Sequence, residues 1–482
     1  MSQTHQAYAG IHLRQKARLL PADMDTPISL FMGMAGAGDG ILLESAAVDG
    51  RWGRYSILAC DMLLYISCRD GALSLDIRDD RLSPLNELSG MPFAEGLRAL
   101  MKMLHVEAPK EKGLDLPPIT RALYGYLGYE MASIFNPHLA SVLPASEAEC
   151  QLALPGTILV LDHVYNRLCQ ITLDEFSDVR SAHEASLFKG TREKAAQEPL
   201  AEPGQEGYEE VVRKVRVMLQ QGEAIQVVPS VRFSLPMRAD GFALYRRMRR
   251  MNASPYMFYM HFPSICLFGS SPEVMVRCTK NDLHLAPIAG TRRRGRDDFE
   301  DHQLELDLLS DPKERAEHVM LVDLGRNDLG RIAEKGTVRV ERLMQIERFS
   351  HVMHLTSQVS ARLKGGLDAV DVLAATFPAG TVSGAPKVRA MEIIREMEDG
   401  PRGPYAGSIG WIGLDRDSVN LDMGITIRSM WIRNGRLFWQ AGAGIVHDSV
   451  PENEWKEVCN KSAIMRLVLE SGEGEENVSA HR

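Results

Sequence analysis

Apolar and polar positions follow two different patterns along the chain, and the change predicts where strands give way to helices. Short apolar runs bounded by turn residues, such as 62–67 and 156–162, predict strands in the first part of the sequence. In 208–220 the apolar residues recur at every third or fourth position, which predicts an amphipathic helix. An apolar run over 224–229 predicts a further strand, and 241–251 predicts a further helix.

Two helix starts carry recognisable capping sequences. Asp311 can cap a helix whose first residue is Pro312, and Glu314 completes a capping-box spacing three residues later. Ser449 and Glu452 repeat that spacing ahead of a C-terminal helix. The predicted apolar stripe of that helix consists of Trp455, Val458, Ile464, Leu467 and Val468.

The order of the elements indicates the fold class. Strands and helices follow one another without a regular βαβ rhythm or an internal repeat, which favours a layered α+β fold over a doubly wound parallel sheet. The stretch 190–207 is polar and contains two prolines, so we expect a linker or a surface loop. It would separate an N-terminal region, 1–189, from a second region, 208–471. The polar residues 472–482 are expected to form a frayed tail.

Composition and charge exclude several classes of protein. The 482 residues are 45% hydrophobic and 25% charged, and the net charge of −9 disfavours a nucleic-acid partner. No apolar stretch approaches the roughly 18 residues that a membrane helix needs, and the N-terminus lacks a signal-peptide pattern. The seven cysteines show no metal-ligand spacing, which is typical of reduced thiols. We therefore expect a cytoplasmic protein that binds neither membrane nor nucleic acid.

Two pairs of glutamates, far apart in sequence, are the strongest indication of chemistry. Glu314 and Glu317 form one pair, and Glu454 and Glu457 form the other. A spacing of three places both carboxylates of a pair on one face of a helix. Four carboxylates that converge at helix starts can hold a hard divalent cation such as Mg²⁺.

Two short glycine-containing turns, 287–292 and 442–445, add a second indication. Turns of this kind can offer backbone N–H groups to an anion, although a glycine turn alone is more often a tight bend. Together with the acidic pairs, they point to metal-assisted chemistry on a small carboxylate.

Motifs along nearly the whole chain resemble those of the chorismate-binding enzymes, and within them the large subunits (component I) of anthranilate synthases. The matching segments occur in the order of that family. They are LLES (42–45), QVVPS (226–230), SPYMFY (254–259), SPE (271–273), PIAGTR (287–292), KERAEHVMLVDLGRNDLGR (313–331), FSHVMHL (349–355), FPAGTVSGAPK (377–387), ITIRS (425–429) and AGAGIVHDS (441–449). The resemblance implies antiparallel sheets in layers with outer helices and an active site between the sheets.

The resemblance also implies a reaction and a cofactor. The expected activity is that of a lyase that converts chorismate and ammonia to anthranilate and pyruvate, the first committed step of tryptophan biosynthesis. Glu317 and Glu457 are expected to ligate Mg²⁺, with Glu314 and Glu454 supporting them, in part through water. Glu314 has an equally good explanation as a helix-capping residue. Lys461, one helical turn beyond Glu457, either lies near the site or only pairs with that glutamate.

Further residues acquire roles from the resemblance. Glu273 would protonate the departing 4-hydroxyl as a general acid, which requires a raised pKa and hence a partly buried site. His354 would act in the later loss of pyruvate and aromatisation, and Thr381 and Lys387 would lie close to the substrate. The residues expected to bind the substrate carboxylates and close over the substrate are Gly290, Thr291, Tyr405, Arg428, Gly442, Ala443 and Gly444.

Two positions distinguish members of the family. Relatives that add water carry a lysine where this chain has Gln226, and relatives that aminate at C4 carry a lysine in place of Ala289. Both replacements favour attack of ammonia at C2. The alternatives are an aminodeoxychorismate synthase subunit and a catalytically idle protein that only senses tryptophan.

The resemblance further implies a tryptophan feedback site and a partner. Glu44 would hold the ammonium of tryptophan, and an apolar slot would hold the indole; the alternative is an aromatic cluster of the core. No glutamine amidotransferase motif occurs in the chain, so a separate small amidotransferase subunit is expected to deliver ammonia. The residues assigned to the tryptophan site are Glu44, Ser45, Asn252, Pro255, Tyr256, Met257 and Phe258.

Overall fold

A computed structural model gives the fold of most of the chain. The described residues are 10–35, 38–46, 54–110, 116–176, 198–236, 240–348 and 352–470. Residues 190–197 of the predicted linker and the whole predicted tail, 472–482, lie outside these ranges. The part of the linker that is described contains a short strand and the first residues of a helix.

The described residues form 24 strands. They are β1 Ile11–Arg14, β2 Lys16–Pro21, β3 Gly40–Glu44, β4 Tyr55–Arg69, β5 Ala72–Ile77, β6 Leu104–Glu107, β7 Ala122–Leu127, β8 Cys150–Asp162, β9 Arg167–Thr172, β10 Leu200–Glu202, β11 Gln226–Val227, β12 Ser230–Pro236, β13 Tyr256–Phe262, β14 Ile265–Ser271, β15 Val274–Thr279, β16 Asp282–Leu285, β17 Ile288–Arg293, β18 Arg339–Arg348, β19 Val352–Arg362, β20 Gly384–Ala385, β21 Ser408–Gly413, β22 Leu421–Ile425, β23 Ser429–Arg433 and β24 Arg436–Gly442.

Ten α-helices accompany the strands within the described ranges. They are α1 Pro27–Ala35, α2 Phe93–Met103, α3 Ala132–Phe135, α4 Gln205–Gln220, α5 Gly241–Met251, α6 Asp298–Ser310, α7 Pro312–Gly330, α8 Ala369–Thr376, α9 Lys387–Met397 and α10 Pro451–Glu470. None of these helices is long and apolar enough to cross a bilayer.

Two layers of antiparallel sheet share the long strands β4 and β8. One layer runs from β10 through β12, β24, β23, β14, β13 and β3 to β4, and it continues through β8 to β9 and β2. The other runs from β5 through β4, β8, β7, β21, β22, β15 and β16 to β19, which also pairs with β17 and β18. The layered α+β fold predicted from the sequence is confirmed.

Strands β4 and β8 join the layers because both change register in the middle. Their pairing shifts between Met62 and Leu64, next to Asp61 with its φ of 54°. A bulge of this kind bends and twists a strand, so its two ends can belong to two sheets. One apolar core is built from side chains of both layers, and a second core covers the other face of the layer that contains β3, β13 and β14.

Several predicted elements are confirmed and two need correction. The strands at 62–67 and 156–162 and the helices at 208–220 and 241–251 are present as parts or the whole of β4, β8, α4 and α5. The strand predicted at 224–229 is wrong in extent, because only Gln226–Val227 pairs, with the short β20. In α10 the predicted stripe is wrong at Leu467, which is 36% exposed, whereas Met465 is fully buried.

Candidate active site

The starts of α7 and α10 bring the two glutamate pairs to one region. The Asp311 carboxylate accepts hydrogen bonds from the N–H groups of Lys313 and Glu314, which fixes the first turn of α7. Burial raises the pKa of Glu317, and the charges of Glu314 and Glu457 raise it further. α7 and α10 thus each place a carboxylate close enough to Glu317 to act on its pKa.

The carboxylates are close but do not form a closed ligand cage. Among the described residues, no three of the four glutamates place oxygen atoms within 4.8 Å of one another. Lys461 Nζ lies 2.8 Å from Glu457 Oε1, and Gln226 Nε2 donates to Glu317 Oε1 at 3.2 Å. The two candidate metal ligands Glu457 and Glu317 are therefore each bound by a side chain of this protein, Glu457 by the cationic Lys461 and Glu317 by the neutral amide of Gln226.

Glu314, in the first turn of α7, also forms an ion pair with Arg292. Arg292 Nη1 lies 3.3 Å from Glu314 Oε1, and the same guanidinium binds Asp307 and Asp311 at 2.7 and 2.8 Å. Glu454, on the other helix, is buried, and burial raises its pKa while the Ser449 side chain opposes the rise. Both supporting glutamates are thus held in place by residues of their own surroundings.

The glycines of the turn at the end of β24 approach neighbouring segments closely. A Cβ at Gly442 would lie 2.7 Å from the Pro229 carbonyl oxygen and 3.0 Å from the Tyr405 hydroxyl, and one at Gly444 would lie 2.6 Å from Gln226 Nε2. Glycine is therefore required at 442 for the close approach to the backbone at Pro229, whereas a side chain at 444 would displace the Gln226 amide. Ala443 between them is fully buried.

Arg428 lies beside this turn in a left-handed conformation, with a φ of 51°. Its guanidinium donates to the Lys461 carbonyl oxygen, and burial lowers its pKa. Burial raises the pKa of the neighbouring Tyr405 to about 12, while nearby arginine charges oppose the rise. A buried guanidinium and a buried neutral phenol are both donors that match a carboxylate.

His354 faces the same region from β19. Its Nδ1 lies 3.1 Å from the Gly290 carbonyl oxygen and 3.1 Å from Thr291 Oγ1. A carbonyl oxygen only accepts, so Nδ1 carries the proton of the neutral ring. Burial lowers the pKa of His354, and the charge of Arg428 lowers it further. The imidazole is neutral at pH 7, with Nε2 as its basic nitrogen.

Glu273, between β14 and β15, has the environment expected of an acid. Its side chain is almost completely buried, and burial raises its pKa to about 7, while Thr381 and Lys461 oppose the rise. A small cavity of about 40 Å³ lies beside it and is also lined by Thr381 and Asp328. The Thr381 hydroxyl is buried and has no hydrogen-bond partner among the described residues.

The two segments assigned to tryptophan binding meet in the sheet. Strand β3 pairs with β13, with Glu44 opposite Met257, and Ala46 N–H donates to the Ser254 carbonyl oxygen. Glu44 is buried and its carboxylate is already engaged. Arg249 donates to both of its oxygens at 2.7 and 2.8 Å, and the Tyr245 hydroxyl donates at 2.6 Å.

The assigned residues do not all lie on one face of β13. Met257 shares the face of Glu44, whereas Tyr256 and Phe258 point to the other side, since side chains alternate along a strand. Tyr256 donates to Asp422 at 2.6 Å, and Phe258 is fully buried against Gly269. The other assigned residues lie nearby and are half-buried: Ser45, Asn252 and Pro255.

Three residues that the sequence motifs do not single out take part in these sites. Arg249 and Tyr245 bind Glu44 from α5, and Arg402 lies fully buried behind Tyr405. A signal for Arg402 was present: a charged residue within the Gly-Pro-Arg-Gly-Pro-Tyr run, where exposed turn residues are usual.

Comparisons with known proteins identify the family of this chain. The sequence pattern of the chorismate binding enzyme family matches residues 86–466. Anthranilate synthase component 1 of Aquifex aeolicus is 40% identical over 478 residues, covering 94% of each chain. The chain belongs to this family. The same-named protein of Neisseria meningitidis serogroup B is 39% identical and covers 96% of this chain and 95% of its own.

Solved structures agree with the fold. The crystal structure of anthranilate synthase component I from Streptococcus pneumoniae is 32% identical, with a TM-score of 0.69, and covers 93% of this chain and 99% of its own. The menaquinone-specific isochorismate synthase of Escherichia coli has a TM-score of 0.71 at 21% identity and covers 96% of both chains. The second likeness concerns the fold alone.

Proposed function

We propose that this chain converts chorismate and ammonia to anthranilate and pyruvate. The observation that carries the proposal is that the buried acid Glu273 and the neutral His354 are connected to the turn 442–445 through Lys461 and Arg428. Lys461, whose charge acts on the pKa of Glu273, donates to the Gly442 carbonyl oxygen, and Arg428, whose charge acts on the pKa of His354, donates to the Lys461 carbonyl oxygen. Family membership supports the same reaction, because the relatives are named for anthranilate synthesis.

Two groups of donors would bind the two carboxylates of chorismate. Arg428, Tyr405 and the backbone of Gly442 and Gly444 would offer N–H and O–H donors for the carboxylate of the enolpyruvyl arm. The N–H of Ala443, which was expected to join them, already donates to the Pro229 carbonyl oxygen at 3.3 Å. The ring carboxylate would lie near the two glutamate pairs, where only a cation makes its approach favourable.

The residues present fit Mg²⁺ as that cation. The donor set consists of carboxylate oxygens, which Mg²⁺ prefers, and the mutual repulsion that raises the pKa of Glu317 would be relieved by a cation. Glu317 and Glu457 would hold the ion, with Glu314 and Glu454 supporting them. When bound, Mg²⁺ would neutralise the ring carboxylate while negative charge redistributes in the ring. Lys461 would then release Glu457.

Glu273 acts as the general acid of the first step. With a pKa of about 7, a large fraction of the carboxyl is protonated at neutral pH and can donate to the departing 4-hydroxyl. Ammonia attacks C2, both ring double bonds shift by one position, and the C4–O bond breaks with release of water, while the nitrogen added at C2 gives up a proton. Gln226 donates to Glu317 and cannot deprotonate a water nucleophile, and Ala289 offers no amine.

His354 acts as the base of the second step. Its Nδ1–H is fixed by Gly290, so Nε2 can remove the proton from C2. The electrons of that C–H bond complete the aromatic ring as the C3–O bond breaks. The enolpyruvyl group leaves and becomes pyruvate after protonation.

The family name component 1 implies a partner component. We infer that this partner is a separate amidotransferase subunit that forms ammonia from glutamine. We also infer feedback inhibition by tryptophan at the face of β3 and β13 that carries Glu44 and Met257. Since Glu44 and Met257 lie far from the glutamate pairs in sequence and on other elements, inhibition would be allosteric and reciprocal.

Product analysis tests the reaction. Purified protein with chorismate, Mg²⁺ and ammonium at alkaline pH is expected to form anthranilate and pyruvate in equal amounts, identified by chromatography and mass. A C4-aminated product would overturn the assignment to ammonia attack at C2, and isochorismate would overturn the role given to Gln226.

A further inference from the structure

One buried ion pair contacts several segments of the candidate active site. The Arg402 side chain is 2% exposed, and it binds Glu398 through two bonds, from Nε at 2.9 Å and from Nη2 at 2.6 Å. Removing one partner of a buried pair of this kind leaves an unpaired buried charge, whereas an apolar pair of similar volume often serves stability as well. Stability alone therefore does not account for charges at this place.

The remaining donors of Arg402 reach two separate segments. Nη2 donates to the Val228 carbonyl oxygen at 2.6 Å, and Nη1 donates to the Val382 carbonyl oxygen at 2.9 Å. Val228 follows Gln226, whose amide binds Glu317, by two residues. Val382 directly follows Thr381, which lies beside Glu273.

The ring of Tyr405 is the third contact. The guanidinium carbon of Arg402 lies 5.5 Å from the centroid of this ring, within the range of a cation–π interaction. The backbone of the intervening loop is fixed as well, because Glu130 accepts from the N–H groups of Arg402 and Gly403 at 2.6 and 3.0 Å. Glu130 belongs to the predicted N-terminal region, so the contact also connects the two parts of the chain.

Glu398 completes the arrangement from the other side. Its Oε1 accepts from both the N–H and the hydroxyl of Ser230 at 2.8 Å. Val227 in the same segment exchanges two backbone hydrogen bonds with Ile445, at 3.1 and 2.8 Å, which fixes the end of the glycine turn.

We propose that the Arg402–Glu398 pair is a positioning unit for the chorismate site, which sets the places of Gln226, Thr381 and Tyr405 together. This inference rests on the proposed function. Arg402 touches no substrate atom in this account; it acts through the segments that do. The planar guanidinium of arginine can donate to two carbonyl groups and one carboxylate at once in a fixed geometry, which the single ammonium of lysine cannot do.

Steady-state kinetics of Arg402→Lys and of the double variant Arg402→Met/Glu398→Leu test the proposal. The double variant removes both charges, so no unpaired charge remains buried. We expect its KM for chorismate to rise by about tenfold or more and its Mg²⁺ requirement to rise, with a smaller change in kcat. The KM of Arg402→Lys for chorismate is expected to lie between that of the double variant and that of the parent protein.

The pair of Arg121 and Asp415 is a matched control. Arg121 Nη2 lies 3.1 Å from Asp415 Oδ1, and both side chains are largely buried. Among the described residues, no hydrogen bond joins either side chain to a segment of the site. Arg121→Met/Asp415→Leu is expected to change the melting temperature without changing KM. A folded Arg402→Met/Glu398→Leu variant with the KM of the parent would overturn the proposal.

A milder change keeps the test decisive if the double variant does not fold. Ser230→Ala removes the bonds of the hydroxyl to Glu398 and to the Gln440 amide and leaves the backbone bond to Glu398, and it is expected to raise KM by about threefold. An unchanged KM in Ser230→Ala would equally overturn the positioning role. Failure of the parent protein to form anthranilate would instead remove the proposed function.

Discussion

At the scale of single residues, the environment decides what each side chain can do. The motif SPE places a glutamate at 273, but only burial raises its pKa to about 7 and makes it an acid at neutral pH. Sequence resemblance supplied the residue and the expectation of a raised pKa. The burial itself comes from segments distant in sequence, including the turn with Thr381.

Replacing Glu273 by glutamine is expected to abolish turnover and to stabilise the fold at high pH. A carboxyl whose pKa is raised from 4.5 to about 7 in the folded protein binds its proton more tightly when folded. Its contribution is therefore lost as pH rises from 4.5 through 7, and Glu273→Gln is expected to gain about 3 kcal/mol at pH 8 relative to pH 4.5.

Denaturant unfolding at the two pH values measures this difference. Glu452→Gln, an exposed carboxylate at the start of α10, is the control and is expected to show almost no pH-dependent gain. An equal gain in both variants would show that Glu273 does not carry the raised pKa.

At the scale of elements, helix starts and strand pairing bring together residues that are distant in sequence. The capping residue Asp311 and the spacing of the glutamates were sufficient to predict the helix start of α7 and the common face of Glu314 and Glu317. The spacing could not predict that Lys461 and Gln226 would engage two of the carboxylates, because both contacts depend on how helices and strands pack.

Glu317→Gln is expected to abolish Mg²⁺-dependent turnover, lowering it by about 100-fold or more, and to leave tryptophan binding intact. It also removes one of the mutually repelling charges, so the metal-free protein is expected to melt at a higher temperature. Activity assays across Mg²⁺ concentrations and thermal melts in chelator measure both effects. Normal turnover with the metal would rule out Glu317 as a ligand.

The pairing of β3 with β13 yields a prediction about feedback inhibition. Met257→Ala is expected to weaken tryptophan inhibition by about tenfold with little loss of turnover, because Met257 lies beside Glu44 on the paired strand. Phe258→Leu, on the opposite face of the same strand, is expected to lower stability and to leave the inhibition constant unchanged. The reverse result would place the pocket on the other face of β13.

The sequence could not predict the state of Glu44. Its role as an ammonium acceptor was inferred from a motif, whereas the structure shows it bound by Arg249 and Tyr245 from α5. Helix α5 was predicted correctly, but the side chains that it directs at β3 follow from tertiary packing. Tryptophan would have to share or displace the Arg249 contact.

At the scale of the whole molecule, the predicted N-terminal region and the later region share one sheet system. Strand β3 pairs with β13, and β7 pairs with β21, so each region completes the other's sheets. The sequence indicated the break between the regions through its polar composition, but it could not show which strands pair across that break. Strand pairing between distant segments leaves no local pattern.

A fragment of residues 208–470 is therefore expected not to fold alone. It would leave one edge of β13 and one edge of β21 unpaired, and exposed strand edges favour aggregation. Gel filtration and circular dichroism of the fragment measure this, with the full chain as the reference. A monomeric fragment with a cooperative melt would contradict the shared sheet as a condition of folding.

The most direct measurement is the initial rate of anthranilate fluorescence from chorismate and ammonium, with Mg²⁺ and with chelator. The protein is expected to form anthranilate only when Mg²⁺ is present, and Glu273→Gln is expected to form none. Consumption of chorismate without anthranilate, or a Glu273→Gln variant as active as the parent, would contradict this expectation.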